Sequence, residues 1–166
     1  MSLFETERLV GRRITLDDVP AMLAVYGNAE SMRYVGDSRP LPEEACRYWV
    51  EVTDKSFERR GYGMIALEEK GTGDVIGFAG VVHPGQQEQA EVKYAIRKDR
   101  WGEGFATEAV RGLVAHARSA WGVGSMIATV FPENDASQNV LAKAGFTRAE
   151  DRSNDDGTTT RVWCLS

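Results

Sequence analysis

A glycine-containing segment at residues 100–109, Arg-Trp-Gly-Glu-Gly-Phe-Ala-Thr-Glu-Ala, carries the strongest chemical signal in this chain. An alternating segment at residues 91–96 precedes it, and apolar residues at helical spacing follow it. A glycine-rich loop that opens a helix leaves several backbone N–H groups without helical partners, and the positive end of the helix dipole lies behind them. Such an arrangement binds anions, and we predict a phosphate or pyrophosphate here.

The composition limits the class of protein that can carry this loop. The 166 residues suffice for one domain with its own core, and we predict a single domain over residues 1–166. The net charge of −5 argues against a nucleic-acid partner, because phosphate backbones favour a basic binding face. We find no signal-peptide pattern and no apolar run that could span a bilayer, so we expect a cytoplasmic protein with no membrane partner.

The two cysteines, Cys46 and Cys164, lie far apart, without CxxC spacing and without a neighbouring histidine. A disulfide framework or a zinc site requires closer and more numerous ligands. We therefore predict two thiols in or near the core, and no metal site.

The elements that must position the loop follow from hydrophobic periodicity and turn signals. In chain order we predict a strand (8–14), a helix that a capping box at Thr15 opens and that runs towards Tyr26, a short helix plus loop (28–41), a helix from Pro42 with Ala45, Tyr48, Trp49 and Val52 on one face, a hairpin (62–68 and 75–82), a strand (90–96), a helix (104–121), a strand (125–130), a helix (136–144) and two last strands (146–152 and 159–165). The order β-α-α-β-β-β-α-β-α-β-β predicts an α/β (α+β) fold. Its central sheet would be mixed and mostly antiparallel, with flanking helices and one crossover.

Three kinds of phosphate ligand compete for the glycine loop. A nucleotide triphosphate loop requires G-x-x-x-x-G-K-[ST], which the chain lacks. A dinucleotide fingerprint requires G-x-G-x-x-G, but Thr107 occupies the third glycine position, and the acidic residue that should follow about twenty residues later is missing. The loop also comes after a run of strands, whereas a Rossmann unit begins with its loop. The third candidate is acyl-coenzyme A.

Two further blocks lie at a distance from the loop: Thr6-Glu7-Arg8-Leu9 with Asp17-Asp18, and the N-x-x-S-x-x-V-L-x-K-x-G-F block at residues 134–146. Residues 101–106 follow the pattern [Q/R]-x-x-G-x-[G/A], except that Trp101 replaces the glutamine or arginine of the first position, as is common in one branch of the family. Together, the three blocks resemble the GNAT acetyltransferase superfamily, in particular its RimJ/RimL-like N-acetyltransferase branch. The resemblance covers nearly the whole chain. It implies a GNAT-like acyl-CoA N-acyltransferase fold, a monomer or homodimer, and transfer from acetyl-CoA (coenzyme A) to a primary amine of a protein N-terminus or a small molecule, by direct attack on the thioester.

The resemblance also implies where the cofactor lies. The pantetheine would fit between two splayed strands and pair with the backbone of Tyr94, Ala95 and Ile96. The pyrophosphate would lie against the loop residues Trp101, Gly102, Glu103, Gly104, Phe105, Ala106 and Thr107. Asn134 would bond the pantetheine amide, and Asn139 and Lys143 would reach cofactor phosphates. The alternatives are an N-cap or turn for Asn134 and a solvated helix face for the other two.

Acyl transfer to an amine requires a neutral amine and a thiolate that can leave. At pH 7, deprotonation costs about 4 to 5 kcal/mol for an alkylammonium and about 1 kcal/mol for an α-ammonium. The resemblance makes Glu91, which matches the glutamate of the branch's A-E-I-G-Y motif, the predicted base, acting through water; Lys93 replaces the glycine of that motif. Leu141 occupies the position of the tyrosine acid of many relatives, so Ser137 is the predicted acid or thiolate-stabilising donor.

Each catalytic assignment has an alternative. Glu91 could be a strand residue paired with a neighbour, and Ser137 could cap its helix. Glu108 is interpreted as a carboxylate that complements the helix dipole. At the level of the whole chain, the rivals are a non-catalytic acyl-CoA-binding or regulatory domain and a purely structural interaction domain.

Overall fold

The computed structural model describes residues 2–34 and 38–166 of the chain. Within those ranges one sheet contains nine strands: β1 Ser2–Glu5, β2 Leu9–Arg13, β3 Met64–Glu69, β4 Val75–Val82, β5 Glu91–Ile96, β6 Met126–Val130, β7 Thr147–Arg148, β8 Arg152–Ser153 and β9 Thr159–Leu165. The strand order is β1-β2-β3-β4-β5-β6-β9-β7, and β8 pairs with β9. Every paired neighbour is antiparallel except β5 and β6, which run parallel.

Four α-helices cover this sheet in the described ranges: α1 Val19–Tyr26, α2 Glu43–Arg60, α3 Phe105–Ala120 and α4 Asp135–Lys143. The predicted capping box is present, since the Thr15 side chain accepts a backbone N–H and Asp18 accepts the N–H of Thr15. Helix α2 ends at Gly61, whose φ of 84° places it in the left-handed region that glycine adopts without strain.

The helices divide between the two faces of the sheet. Helices α3 and α4 cover one face, and α1 and α2 cover the other, each over its own apolar cluster. The periodicity of α3 predicts its buried residues in full: Phe105, Ala109, Val110, Leu113, Val114 and Ala117. Because α3 is the crossover between the parallel strands β5 and β6, its N-terminus lies at the end of β5.

Strands β5 and β6 pair only near their beginnings. A single residue pair, Glu91 with Ile127, joins them in the described part of the sheet, and the Ile127 N–H donates to the Ala90 carbonyl at 2.9 Å. Strand β5 continues to Ile96 without further pairing to β6, while it stays paired with β4 along its length. The result is an opening in the middle of the sheet, which we call the β5–β6 gap.

The predicted fold class is confirmed, with three local differences. Strand β1 has no predicted counterpart because it is short and only half-buried, without clear alternation. The predicted strand 146–152 is two short pieces, β7 and β8, separated by residues 149–151. Pro42 is the N-cap of α2, with extended backbone, and not its first helical residue. In the predicted helix plus loop 28–41, residues 35–37 lie outside the described ranges.

The predicted apolar face of α2 is wrong. Helix α2 buries Cys46, Val50 and Thr53, whereas Tyr48 is 61% exposed and Val52 is 44% exposed. Both residue sets follow helical spacing, and the sheet face beneath α2 accommodates the smaller side chains. The thiols behave as predicted: Cys46 is buried, Cys164 is half-buried, and both are free.

Candidate active site

The glycine loop adopts a left-handed backbone at two positions. Gly102 has a φ of 79° and Gly104 a φ of 83°, a region that residues with a Cβ rarely occupy. A Cβ at Gly102 would meet no protein atom within 4 Å, so the requirement there is conformational and the space beside the loop is open. The first helical bond of α3 runs from the Glu108 N–H to the Gly104 carbonyl at 3.1 Å.

The N-terminus of α3 therefore presents unused donors. Because the helical bonds start at Glu108, the N–H groups of Phe105, Ala106 and Thr107 have no helical acceptor. Gly104, the N-cap, has no side chain that could cap them. These three N–H groups and the positive end of the helix dipole lie where the sequence predicts an anion site.

The start of the loop is tied to the end of β5. The Trp101 indole N–H donates to the Ile96 carbonyl at 2.7 Å, although half of the Trp101 surface stays exposed. Just before it, the Arg100 guanidinium contacts the Glu69 carboxylate of β3 at 3.1 Å. The loop therefore begins at a defined place beside the β5–β6 gap.

The backbone of β5 alternates between its two neighbours. The Ala90 carbonyl accepts the Ile127 N–H of β6, and the Arg97 N–H donates to the Ile76 carbonyl of β4 at 2.7 Å. The backbone groups of even-numbered residues therefore turn towards the gap, and those of odd-numbered residues towards β4. Of the three residues predicted to pair with pantetheine, Tyr94 turns its backbone to the gap. Ala95 turns its backbone to β4, and the carbonyl of Ile96 is already taken by Trp101.

Glu91 is a buried, fully engaged carboxylate at the point where the strands part. Its residue surface is 2% exposed. Oε1 accepts the Gln87 amide at 3.1 Å, while Oε2 accepts the Thr129 hydroxyl at 2.7 Å and lies 2.8 Å from the Lys93 ammonium. The lysine that replaces the family glycine thus pairs with the predicted base. Both oxygens of the Glu91 carboxylate therefore already have partners in the folded sheet.

Ser137 lies across the β5–β6 gap from Glu91, at the start of α4. Its hydroxyl forms a short hydrogen bond with the Tyr94 hydroxyl, which is also 3.2 Å from the Ser137 carbonyl. Burial raises the pKa of Tyr94 to about 12, although its bond with Ser137 acts in the opposite direction. Tyr94 therefore stays protonated at neutral pH, and either hydroxyl can be the donor in the bond between Tyr94 and Ser137.

Glu91 and Tyr94 project from opposite faces of the same strand. Side chains alternate along a strand, and Tyr94 packs against the cluster under α3 and α4, so Glu91 points to the face of α1 and α2. The candidate base and the candidate donor pair thus flank the gap from its two sides. An acyl group held in the gap would have a proton acceptor on one side and a proton donor on the other.

The remaining predicted cofactor ligands have different surroundings. The Asn134 side chain caps α4 by accepting the Ser137 N–H at 3.1 Å, which was the alternative interpretation of this residue. Lys143 lines a cleft together with Gly104, Thr107 and Arg111, beside the start of α3. Asn139 lies on the exposed side of α4.

Comparison with known proteins identifies the family. Residues 8–147 match the acetyltransferase (GNAT) domain. The chain belongs to the GNAT acetyltransferase family. The uncharacterized N-acetyltransferase YoaA of Bacillus subtilis is 34% identical over 146 residues, which cover 87% of this chain and 82% of that protein. As a GNAT acetyltransferase, the chain uses acetyl-CoA as its acetyl donor.

Solved structures of GNAT acetyltransferases share the fold at low sequence identity. A GNAT acetyltransferase from Bacillus anthracis has a TM-score of 0.82 at 18% identity and covers 98% of this chain and 96% of its own. RimL, a ribosomal L7/L12 α-N-protein acetyltransferase solved with coenzyme A, also has a TM-score of 0.82, at 16% identity, and covers 99% of this chain and 97% of its own. These neighbours confirm the predicted architecture.

Sequence reasoning missed several groups around the site of this acetyltransferase. The Tyr94 side chain, the Arg111 guanidinium at the cleft and the partners of Glu108 all come from tertiary contacts that no motif spacing reveals. A tyrosine three residues after Glu91 in the strand was the available signal for the first of them. Residues 2–34 and 38–166 contain no helix long and apolar enough to cross a membrane.

Proposed function

We propose that this acetyltransferase transfers the acetyl group of acetyl-CoA to a primary amine, an α-amine of a protein N-terminus or an amine of a small molecule, by direct attack on the thioester. Glu91 and the Tyr94–Ser137 pair lie on opposite sides of the β5–β6 gap, and the N-terminus of α3, with its unused N–H groups, follows at the end of β5. This placement is the observation that supports the proposal. A domain that merely bound acyl-CoA would not need both groups.

The residues would divide the reaction between them. Glu91, through a water, accepts the proton that the substrate ammonium loses, and the neutral amine attacks the carbonyl carbon. The C–N bond forms, the C–S bond breaks, and the nitrogen loses its second proton, which replaces the one that the departing thiolate takes up. The Ser137 hydroxyl, bonded to Tyr94, stabilises or protonates the departing thiolate.

The acetyl donor would bind along a path from the N-terminus of α3 to the β5–β6 gap. Its pyrophosphate would bind the N–H groups of Phe105, Ala106 and Thr107, with Lys143 and Arg111 as nearby cations. The gap-facing backbone of Tyr94 would pair with the pantetheine arm. Asn134 would contribute through its side-chain NH2 group, because its Oδ1 atom caps α4.

The cost of deprotonation and one structurally similar protein bear on the class of amine substrate. At pH 7, deprotonation of an alkylammonium costs about 4 to 5 kcal/mol, whereas an α-ammonium loses its proton with little help from a base. RimL, which shares the fold, is named an α-N-protein acetyltransferase, and this supports a peptide α-amine. The proposed base Glu91 would assist either class of amine.

Calorimetry and a thiol-release assay together test the proposal. We expect one acetyl-CoA to bind each chain with micromolar affinity, and free thiol to appear when peptides with free N-termini or small primary amines are added. Acetyl-CoA that fails to bind at millimolar concentration would contradict the anion site. Tight binding without thiol release across both amine classes would instead favour the non-catalytic alternative.

We expect the pH dependence of kcat/KM to follow the pKa of the substrate amine and not that of the Tyr94–Ser137 pair. With a peptide α-amine we expect kcat/KM to rise and level off near pH 8, and with an alkylamine to keep rising towards pH 10. Because the pKa of Tyr94 is raised to about 12, its hydroxyl stays protonated throughout, and no alkaline decline should appear below pH 10. A profile that declines between pH 8 and pH 10 would contradict the assignment of a protonated Tyr94 to the donor pair.

A further inference from the structure

Residues 6–8, which precede β2, form hydrogen bonds to the first turn of α3. The Glu108 carboxylate accepts the Thr6 hydroxyl at 2.5 Å and the Arg8 N–H at 2.7 Å. It also accepts the Arg8 Nε–H at 2.7 Å, so backbone and side chain of one residue bind the same group. Contacts of this kind between residues 8 and 108 fix the N-terminus of α3 against the edge of the sheet.

Arg8 also holds the glycine loop itself. Its Nη1 donates to the Glu103 carbonyl, between the two left-handed glycines, at 2.9 Å. Its guanidinium lies 4.0 Å above the Phe105 ring, which is buried. One cation thus contacts the carboxylate at residue 108, the carbonyl at residue 103 and the ring at residue 105. These are the two ends and the middle of the anion-binding turn.

The charge of Glu108 needs such a partner. A carboxylate in the first turn lies close to where a bound phosphate would sit, and an unpaired negative charge there would repel it. Burial opposes ionisation, but the hydrogen bonds from Thr6 and Arg8 outweigh it, and the pKa of Glu108 is lowered. Glu108 therefore stays ionised, and the Arg8 cation offsets its charge.

We propose that Arg8, together with Thr6 and Glu108, is a clamp that holds the loop at residues 101–107 in the conformation that binds the pyrophosphate of acetyl-CoA. The three residues are positioning residues: they shape the donor site through the loop and need not touch the donor. The proposal rests on the proposed function, and it gives a role to the Thr-Glu-Arg-Leu block, which the transfer chemistry leaves unused.

Arg13, at the other end of the adjoining strand β2, offers a matched control. Its guanidinium also pairs with a carboxylate, Asp54, at 2.8 Å and also lies over a phenylalanine ring, that of Phe57, at 3.8 Å. These contacts are made with α2, away from the glycine loop. Arg13→Gln therefore removes the same kinds of interaction as Arg8→Gln without touching the donor site.

Two acetyl donors separate a role in pyrophosphate binding from a general defect. S-acetylpantetheine has the thioester and the pantetheine arm of acetyl-CoA but lacks the pyrophosphate. We expect Arg8→Gln to raise the Kd and KM for acetyl-CoA about tenfold, the effect of losing one charge-assisted hydrogen bond. The kcat/KM of Arg8→Gln with S-acetylpantetheine should stay within about twofold of the wild type. For Arg13→Gln, we expect kcat/KM with either donor to stay within the same range.

The outcomes distinguish the clamp from the function on which it rests. Arg8→Gln that binds acetyl-CoA like the wild type, or that loses activity equally with both donors, would overturn the clamp. A wild-type chain that does not bind acetyl-CoA would overturn the proposed function instead. If Arg8→Gln does not fold, Arg8→Lys keeps the charge but loses the second donor, and its acetyl-CoA affinity should fall while S-acetylpantetheine turnover is retained.

Discussion

Replacing Glu91 by glutamine should lower kcat about 100-fold at pH 7 with an alkylamine substrate, a typical contribution of a general base. Glutamine has nearly the same shape and can still accept the Thr129 hydroxyl, but it cannot take up a proton. The Kd for acetyl-CoA should stay within about twofold of the wild type, because Glu91 lies on the other face of β5 from α3 and α4.

The pH dependence of the Glu91→Gln defect separates catalysis from structure. Without Glu91 the variant depends on the fraction of the amine that is already neutral, so its kcat/KM should rise with pH more steeply than that of the wild type, and the deficit should shrink towards the pKa of the amine. A defect of the same size at every pH would mean that Glu91 only supports the strand.

Asp18→Asn is the matched control for this variant. Asp18 is also a buried carboxylate, 2.8 Å from Arg12 and from the Thr15 N–H, and it lies away from the gap. We expect both Asp18→Asn and Glu91→Gln to lower Tm, whereas the kcat of Asp18→Asn should stay within about twofold of the wild type. A comparable loss of kcat in Asp18→Asn would attribute the Glu91 effect to stability.

Ser137→Ala should lower kcat at least about tenfold at saturating acetyl-CoA, because the departing thiolate loses its hydroxyl donor. The Kd for acetyl-CoA should change little, since the pyrophosphate site and the backbone N–H that Asn134 caps are both retained. Unchanged turnover would remove Ser137 from the mechanism. Calorimetry and initial rates on the same preparation suffice for both values.

A double-mutant cycle tests whether Tyr94 and Ser137 act as one donor. Tyr94→Phe keeps the ring and deletes the hydroxyl that bonds Ser137. If the two hydroxyls work as a unit, the double variant should be about as slow as Ser137→Ala alone. Tyr62→Phe is the control, since it deletes a hydroxyl 2.7 Å from His83, outside the gap. Effects that multiply in the double variant would show two independent roles.

The helix and loop of the donor site were predictable because their signals are local. The apolar residues of α3 repeat within one segment, and the glycines stand directly before it, so neither inference needs a tertiary contact. Glu91 and Ser137 were located by motif alone, and their roles stay predictions. What the motif could not supply was their surroundings, since Gln87, Lys93 and Thr129 meet Glu91 only in the folded sheet.

Helix α2 shows where local pattern fails. Its sequence contains two helical stripes, one with Tyr48, Trp49 and Val52 and one with Cys46 and Val50. Hydrophobic spacing ranks the aromatic stripe higher, but the sheet beneath decides which stripe is buried. Similarly, the Arg8–Glu108 pair spans a separation of 100 residues, and each partner alone resembles an ordinary surface charge.

The β5–β6 gap gives this sheet a free edge in its interior. Strand edges with open N–H and C=O groups invite pairing with other chains, and most proteins keep them short or covered. Here the donor arm would close that edge, so the folded state gains stability whenever donor is present: about 2.7 kcal/mol at a concentration of 100 times Kd. Acetyl-CoA would then act as a chaperoning ligand as well as a reactant, and the protein would be most vulnerable to aggregation and proteolysis when the cellular acetyl donor is scarce.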